Sequence, residues 1–301
     1  MRSAFITALV SAARRDKNLW LLTADLGYSF LEKFAQEFPD RFVNVGVAEQ
    51  NLMSVAAGLA LAGKKVVVYS IINFATFRCL EQIRLDICYH KLDVSIVGVG
   101  AGYFYGAQGY SHHCVEDLAL MRALPHLEIY VPIDAVHTQW LVGELMLRSG
   151  PKYLRLGRQE ESMQVEKYTL QGFISLLAGE DVVILTMGED AIKALHIAHA
   201  LRKKGIEAGV VACMRLKPFD KEKIAFLAAS RAHLVVIETH GVGGLGSLCA
   251  EVMVSLSVCR PLQVFQLPAS PVEVGGDAKE LLEGLGMSVE AITEAILQKC
   301  V

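Results

Sequence analysis

Glu49 stands where an apolar run gives way to a helix, in the stretch Val43-Asn44-Val45-Gly46-Val47-Ala48-Glu49-Gln50-Asn51. Val45, Val47 and Ala48 precede it, and Leu52, Met53, Val55 and Ala56 follow. A carboxylate in such surroundings loses hydration. That favours its protonated form and makes it a proton donor and acceptor usable near neutral pH. Taken singly, the residue reads equally well as a structural carboxylate at a helix N-terminus, where the helix dipole favours acids. Its company along the chain decides between the two.

An aromatic pair comes next, in Asn73-Phe74-Ala75-Thr76-Phe77-Arg78, just past an apolar run ending at Ser70. At the carboxyl end of a strand, Phe74 and Phe77 could stack on a flat heterocycle. Their spacing of three also suits one buried helix face, and on that evidence alone core is the better reading. A long glycine-rich and aromatic segment then runs from Gly98 to the two histidines His112 and His113. Long loops in compact domains are usually functional. The Gly-x-Gly-x-Gly element within it lacks the spacing of a dinucleotide fingerprint. A zinc set of His112, His113, Cys114 and Glu116 is disfavoured, because adjacent residues rarely converge on one ion and no distant Cys/His set accompanies them. A histidine placed to bond or protonate a substrate oxygen is the better fit. Arg158, after a short apolar strand, suits bidentate contact to phosphate, although a surface salt bridge is the commoner use of such a residue. The glycine-rich turn Gly241 to Gly246 could bind an anion at a helix start, but close packing in a strand–helix turn is preferred.

These residues need a frame, and the patterning supplies one. Short apolar runs at 19–23, 42–47, 65–70, 94–99 and 128–131 alternate with helical periodicity at 2–15, 29–38, 50–61, 75–90, 116–123 and 134–149. Gly63 reads as the glycine closing the third of these helices. Continuous apolar strands alternating with helices imply a parallel sheet covered on both faces. The segment 150–166 reads as the end of the first domain plus a connector. A second α/β unit follows, with strands at 181–186, 207–213, 234–238 and 264–267, and helices at 191–204, from 247, and at 287–299. The expectation is therefore two doubly wound α/β domains, residues 1–160 and 161–301.

The bulk properties exclude several classes. The chain has 301 residues, 53% of them hydrophobic and 20% charged, which suits two domains with large cores and argues against disorder. A net charge of −3 gives no basic footprint, so nucleic acid is not expected. Seven widely spaced cysteines without a Cys-x-x-Cys pair fit reduced thiols and a cytoplasmic setting. No apolar run is long enough to cross a bilayer, so no membrane partner is expected. The N-terminal segment superficially looks like a secretory signal, but its apolar part is short and Phe5, Leu9 and Ala12 suit a helix face.

In order, Ala24-Asp25-Leu26, Gly46-Val47-Ala48-Glu49-Gln50-Asn51, Phe74/Phe77, Gly109-Tyr110-Ser111-His112-His113, Gly157-Arg158-Gln159 and Glu238-Thr239-His240-Gly241-x-Gly243-Gly244-Leu245-Gly246 resemble the transketolases. The likeness covers essentially the whole chain and matches the middle, pyrimidine-binding domain and the C-terminal domain of that family. It implies a thiamine diphosphate enzyme moving a two-carbon ketol unit between sugars or sugar phosphates. By the resemblance, Glu49 bonds the aminopyrimidine ring nitrogen and favours the tautomer that activates the thiazolium carbon. Phe77 and Phe74 form the aromatic platform, and Gln82 also falls at the cofactor. His112 lies near donor oxygens, with Gln108 and His113 beside the substrate. Arg158, Ser29 and Arg2 match positions that bind substrate phosphate.

The departures are informative. No Gly-Asp-Gly followed some thirty residues later by Asn occurs, so the chain lacks the family's element for Mg2+ and diphosphate. The resemblance is thus to the smaller subunit of a split transketolase, which needs a diphosphate-binding partner and implies a dimer of this chain within a heterotetramer. Gln108 stands where common transketolases have Asp, Gly100 near the place of a substrate histidine, and Tyr110 in place of Pro. These changes point to an unusual sugar substrate. Two alternatives stay open: acyl transfer from a 2-oxo acid, as in deoxyxylulose-phosphate synthases or 2-oxo acid dehydrogenase β-subunits, and a non-catalytic partner subunit.

Overall fold

The computed structural model of the chain describes residues 1–158, 162, 163, 165, 168–170, 172–272 and 275–300. The expected boundary at 160/161 and Gln159 lie outside the described residues. Twelve strands are present among them: β1 (Leu19–Thr23), β2 (Phe42–Asn44), β3 (Lys65–Ile71), β4 (Val94–Val99), β5 (Glu128–Tyr130), β6 (Lys152–Leu156), β7 (Phe173–Leu177), β8 (Val182–Met187), β9 (Ala208–Cys213), β10 (Arg215–Lys217), β11 (His233–Ile237) and β12 (Leu262–Phe265). They form a seven-stranded sheet in the order β10-β5-β6-β4-β3-β1-β2 and a five-stranded sheet in the order β12-β11-β8-β9-β7. Both are parallel except at one edge, where β10 runs antiparallel to β5 and β7 antiparallel to β9. The expected α/β class with two helix-covered sheets is what the chain adopts.

The apolar runs explain the sheets. Val66, Val68, Val94 and Ile96 are fully buried, facing Leu52, Met53 and Ala56 of the Glu49–Leu61 helix. Burying each such side chain is worth about 1.5–3 kcal/mol over leaving it exposed. On the opposite face, the Arg2–Arg15 helix packs beside the Ala135–Leu145 helix and covers Leu19, Leu21 and Val67. Gly63, at φ +81°, follows the Glu49–Leu61 helix in the left-handed conformation expected of a closing glycine. No helix among the described residues is long and apolar enough to cross a membrane.

Several elements differ from the sequence expectation. The helix expected at 29–38 is the shorter Glu32–Glu37, and β2 stops at Asn44. Asn44 Oδ1 accepts the N–H groups of Asp25 and Gly46, which turns the chain away from the sheet before Glu49. The helix expected at 75–90 is broken into an α turn (Ile72–Ala75), a 3-10 turn (Phe77–Cys79), a further α turn (Leu80–Gln82) and a π segment (Ile83–Tyr89). Thr76 interrupts it with its hydroxyl on the Ile72 carbonyl at 2.7 Å. The connector expected from 150 contains β6, which lies inside the first sheet between β4 and β5. Strands β7 and β10 and the helices Lys221–Ala229 and Ala278–Gly284 had no counterpart in the patterning. The six cysteines with described side chains are free thiols, and five of them are buried.

Candidate active site

The parallel strands of the first sheet end on one rim, and the predicted residues follow their carboxyl ends. Ser29 lies after β1, Glu49 after β2, Phe74 after β3, His112 after β4 and Arg158 after β6. This is where ligands gather in open parallel sheets.

Glu49 opens the Glu49–Leu61 helix and is only 2% exposed. Its carboxylate does not cap the helix. Oε2 accepts from Arg78 Nη1 at 2.7 Å, and the Arg78 side chain is 45% exposed. The same guanidinium lies 4.5 Å from the centre of the Phe74 ring. Beside them, Cys79 is pushed up to about 12, by burial first and then by the charge on Glu49. Arg78 is the main residue that motif reasoning passed over. A lone cation four residues beyond Phe74 in an apolar stretch was its signal.

Breaking the helix at Thr76 turns Phe77 and Arg78 outward. Phe77 is 39% exposed, while Phe74 is partly buried and packs against the core beneath the rim. Both line a cavity of about 510 Å³, with Asn73 and Arg78 on the same segment and Tyr110, Ser111, His113 and Glu116 opposite. Asn73 joins the walls: its Nδ2 donates to the carbonyls of Ser111 at 2.9 Å and His113 at 2.7 Å. His113 is buried, with Nε2 2.9 Å from the Gly106 carbonyl. Donation from Nε2 to that carbonyl leaves Nδ1 as an acceptor. His113 Nδ1 and Asn73 Oδ1 are both buried without a partner among the described residues. Two orphan acceptors beside exposed aromatic faces suit a flat heterocycle carrying N–H groups, so these walls fit a thiamine pyrimidine ring. Among the described residues no cluster of His, Cys, Asp or Glu could hold a metal ion.

His112 packs edge-on against Phe74 at 5.3 Å and faces Tyr105 at 5.9 Å, with Nδ1 3.0 Å from Ser111 Oγ. Rings continue outward, Tyr105 touching Phe104 at 4.7 Å. Phe104 lies between two cations: Arg2 is 5.6 Å and Arg158 5.8 Å from its ring centre. Arg2 also stacks 4.4 Å from Phe30, next to exposed Ser29. One strip of contacts thus runs from Glu49 through Phe74, His112 and Phe104 to the arginine pair. Arg158 and Phe104 also line a second cavity of about 530 Å³, with Glu189 and Lys193. Two predicted residues are not brought in. Gln108 is exposed at the end of a 3-10 turn. Gln82 lies outside the cavity wall, its Oε1 buried without a partner among the described residues.

The glycine-rich turn at 241–246 is closely packed, as preferred from the sequence. The Glu238 carboxylate accepts the N–H groups of Leu245 at 2.7 Å and Gly246 at 2.9 Å, so the helix start carries its own anion. A Cβ on Gly244 would meet Glu238 Oε2 at 2.0 Å. Burial pushes Glu238 up to about 7.

Comparison with known proteins agrees with this geometry. Residues 1–162 match the transketolase pyrimidine-binding domain and residues 175–292 the transketolase C-terminal domain. The chain is 36% identical to a putative transketolase C-terminal section of Methanocaldococcus jannaschii, over 99% of this chain and 96% of that protein. It is 35% identical to one of the subunits of an apulose-4-phosphate transketolase of Phocaeicola vulgatus, again over 99% and 96%. A solved structure described as a split gene transketolase, inactive β4 tetramer, superposes with a TM-score of 0.85 at 37% identity, covering 99% of this chain and 96% of that one.

Proposed function

The chain belongs to the transketolase family, and from that premise we propose that it is the small subunit of a two-chain transketolase. In this reading it holds the pyrimidine half of thiamine diphosphate, while a partner subunit holds Mg2+ and the diphosphate. The observation that carries it is a 2%-exposed Glu49 set beside an aromatic-walled cavity of about 510 Å³. Among its relatives, one is named as a subunit of a transketolase and another is a split gene β4 tetramer. Both support a multi-subunit assembly, which we take to be a heterotetramer built on a dimer of this chain.

Bound at this cavity, the cofactor supplies a nucleophilic carbon and an electron sink for two-carbon ketol transfer. The protein's share is positioning and proton control. Glu49 holds or releases a proton at its carboxyl, away from water. Phe74 and Phe77 offer stacking faces to a flat ring. His112 bonds substrate oxygens or exchanges protons with them. Arg2 and Arg158, with Ser29, receive a substrate phosphate.

One observation favours a donor other than a common ketose phosphate. Gly100, near the place of the family's substrate histidine, is at φ +96°, and a Cβ there would lie 2.3 Å from the Tyr105 ring. The test is to combine the chain with a partner subunit carrying Gly-Asp-Gly…Asn, add thiamine diphosphate and Mg2+, and assay hydroxyacyl ketoses against pyruvate. Ketol transfer is expected. Turnover of pyruvate alone would replace this reading with 2-oxo acid chemistry, and no turnover with no cofactor binding would leave a non-catalytic subunit.

A further inference from the structure

His112 stands on a turn with few ties to the rest of the molecule. The residue is half-buried, and its ring meets Phe74 and Tyr105 edge-on, at 5.3 and 5.9 Å. Such contacts hold a ring by dispersion and do not fix the backbone that carries it. Ser111 Oγ, 3.0 Å from Nδ1, belongs to the neighbouring residue and moves with it. The turn also closes on itself, with the N–H groups of His112 and His113 both on the Gly109 carbonyl.

Among the described residues, the hydrogen bonds that tie 109–113 to a distant part of the chain are those of Asn73. Its Nδ2 donates to the Ser111 carbonyl at 2.9 Å and to the His113 carbonyl at 2.7 Å. These are the two residues that flank His112. An amide nitrogen has two hydrogens, and this geometry uses one on each side of the histidine. Asn73 in turn is held by its own segment. It lies in the turn Ile72–Ala75 with Phe74, and Arg78 follows in the next turn with its guanidinium on Glu49. One short segment therefore carries the aromatic platform, meets the buried acid and grips the histidine turn from both sides.

We infer that Asn73 is the positioning residue for His112: by bonding the carbonyls on either side of it, the amide sets where the histidine stands relative to Phe74. The inference rests on the reading of His112 as a residue that meets substrate.

The test is a double-mutant cycle on the chain combined with its partner subunit, thiamine diphosphate and Mg2+, using wild type, Asn73→Ala, His112→Ala and the double variant. Asn73→Ala should lower kcat/KM for ketol transfer by a factor on the order of 10², the cost of a working group misplaced by about 1 Å. In the His112→Ala background the same change should cost no more than about twofold, because no histidine is left to place. Hydrogen exchange supplies a readout apart from turnover. The amides of 109–113 should exchange faster in Asn73→Ala, while the paired bonds between Gly102 and Cys114 in the same loop keep their protection. Asn73→Ser offers one donor for two carbonyls and should lose less, and it carries the same cycle if Asn73→Ala does not fold. Equal losses in the two backgrounds, full turnover in Asn73→Ala, or unchanged exchange at 109–113 would overturn the inference. So would a folded Asn73→Ala that no longer binds thiamine diphosphate, since the amide would then serve the cofactor directly. Full turnover in His112→Ala would remove the reading of His112 itself, which separates the two failures.

Discussion

Two of the arginine–carboxylate pairs around the first sheet, Arg155–Asp117 and Arg78–Glu49, are built to opposite designs. Asp117 and Arg155 are both buried, with Nε 3.0 Å from Oδ2. The Tyr153 hydroxyl adds a bond to Oδ2 at 2.7 Å, and Arg155 Nη2 reaches the carbonyls of Cys114 and Thr239. Burial works to raise Asp117, but Arg155 and the other neighbours outweigh it and hold the carboxyl below its ordinary range. His240 lies 3.5 Å from Oδ1, yet it is neutral: its Nε2 accepts the Leu118 N–H, and burial holds it down to about 4. Because Arg155 belongs to β6 and Thr239 follows β11, this cluster staples the two sheets together. The Glu49–Arg78 pair is joined by a single hydrogen bond among the described residues, and one partner is open to solvent. A pair saturated on every side is structure, whereas a buried acid with an exchangeable partner is poised to accept something else.

The largest expected effect falls on the closed pair. Asp117→Ala strands a buried guanidinium and should destabilise the chain by about 3–5 kcal/mol in chemical denaturation. A loss below about 1 kcal/mol, typical of surface pairs, would erase the distinction between the two designs.

Acid should strain the same seam through His240 and, outside it, the ring cluster of His137, Trp140 and Tyr168. His240 is held down to about 4 and His137 to about 3, in both cases mainly by burial. An unfolded histidine titrates near its ordinary value of about 6.5, so the unfolded chain binds more protons below that pH. Their stabilising contribution is full above that value and is lost as pH falls toward 4 and then 3, on the order of 3 kcal/mol for His240 and about 5 kcal/mol for His137. Glu238, raised to about 7, acts oppositely: its contribution is full below the ordinary glutamate range and is lost as pH rises to about 7. Melting between pH 4.5 and 7.5 should therefore show a smaller acid loss in His240→Gln and a larger one in Glu238→Gln. Unchanged profiles would contradict the assignment.

The smallest effect concerns the outer end of the ring strip. Arg158→Lys keeps the charge but loses the planar fork, so KM for a phosphorylated substrate should rise about tenfold, or about 1.4 kcal/mol, with kcat little changed. A fall in kcat alone would place Arg158 at the reacting carbons instead.

Apolar continuity made most of the parallel strands readable, because residues such as Val66 to Val68 and Val94 to Val99 are covered on both faces. β6 was harder. It carries buried Lys152 and Arg155, and only their partners Asp93 and Asp117, distant in sequence, make those charges tolerable. β10 has three residues with two charges and exists by pairing with β5 from the other half of the chain. Glu49, Phe74, His112 and Arg158 were legible as candidates by residue type and by position after strands, and only their joint order set them above the structural readings each allows singly. Arg78 was not legible, since its role depends on a contact across 29 residues to an acid on another helix. The exposure of Gln108 was hidden for a related reason: sequence spacing cannot tell which way a turn presents its last residue.

The most direct measurement compares Glu49→Gln with wild type in the same reconstituted enzyme, reading turnover and unfolding free energy together. If Glu49 is the working acid, turnover falls by a factor on the order of 10² to 10⁴ while the variant stays folded, since the Gln amide oxygen can still accept from Arg78. A variant that keeps full turnover, or one whose lost turnover is matched by lost folding, would contradict that role.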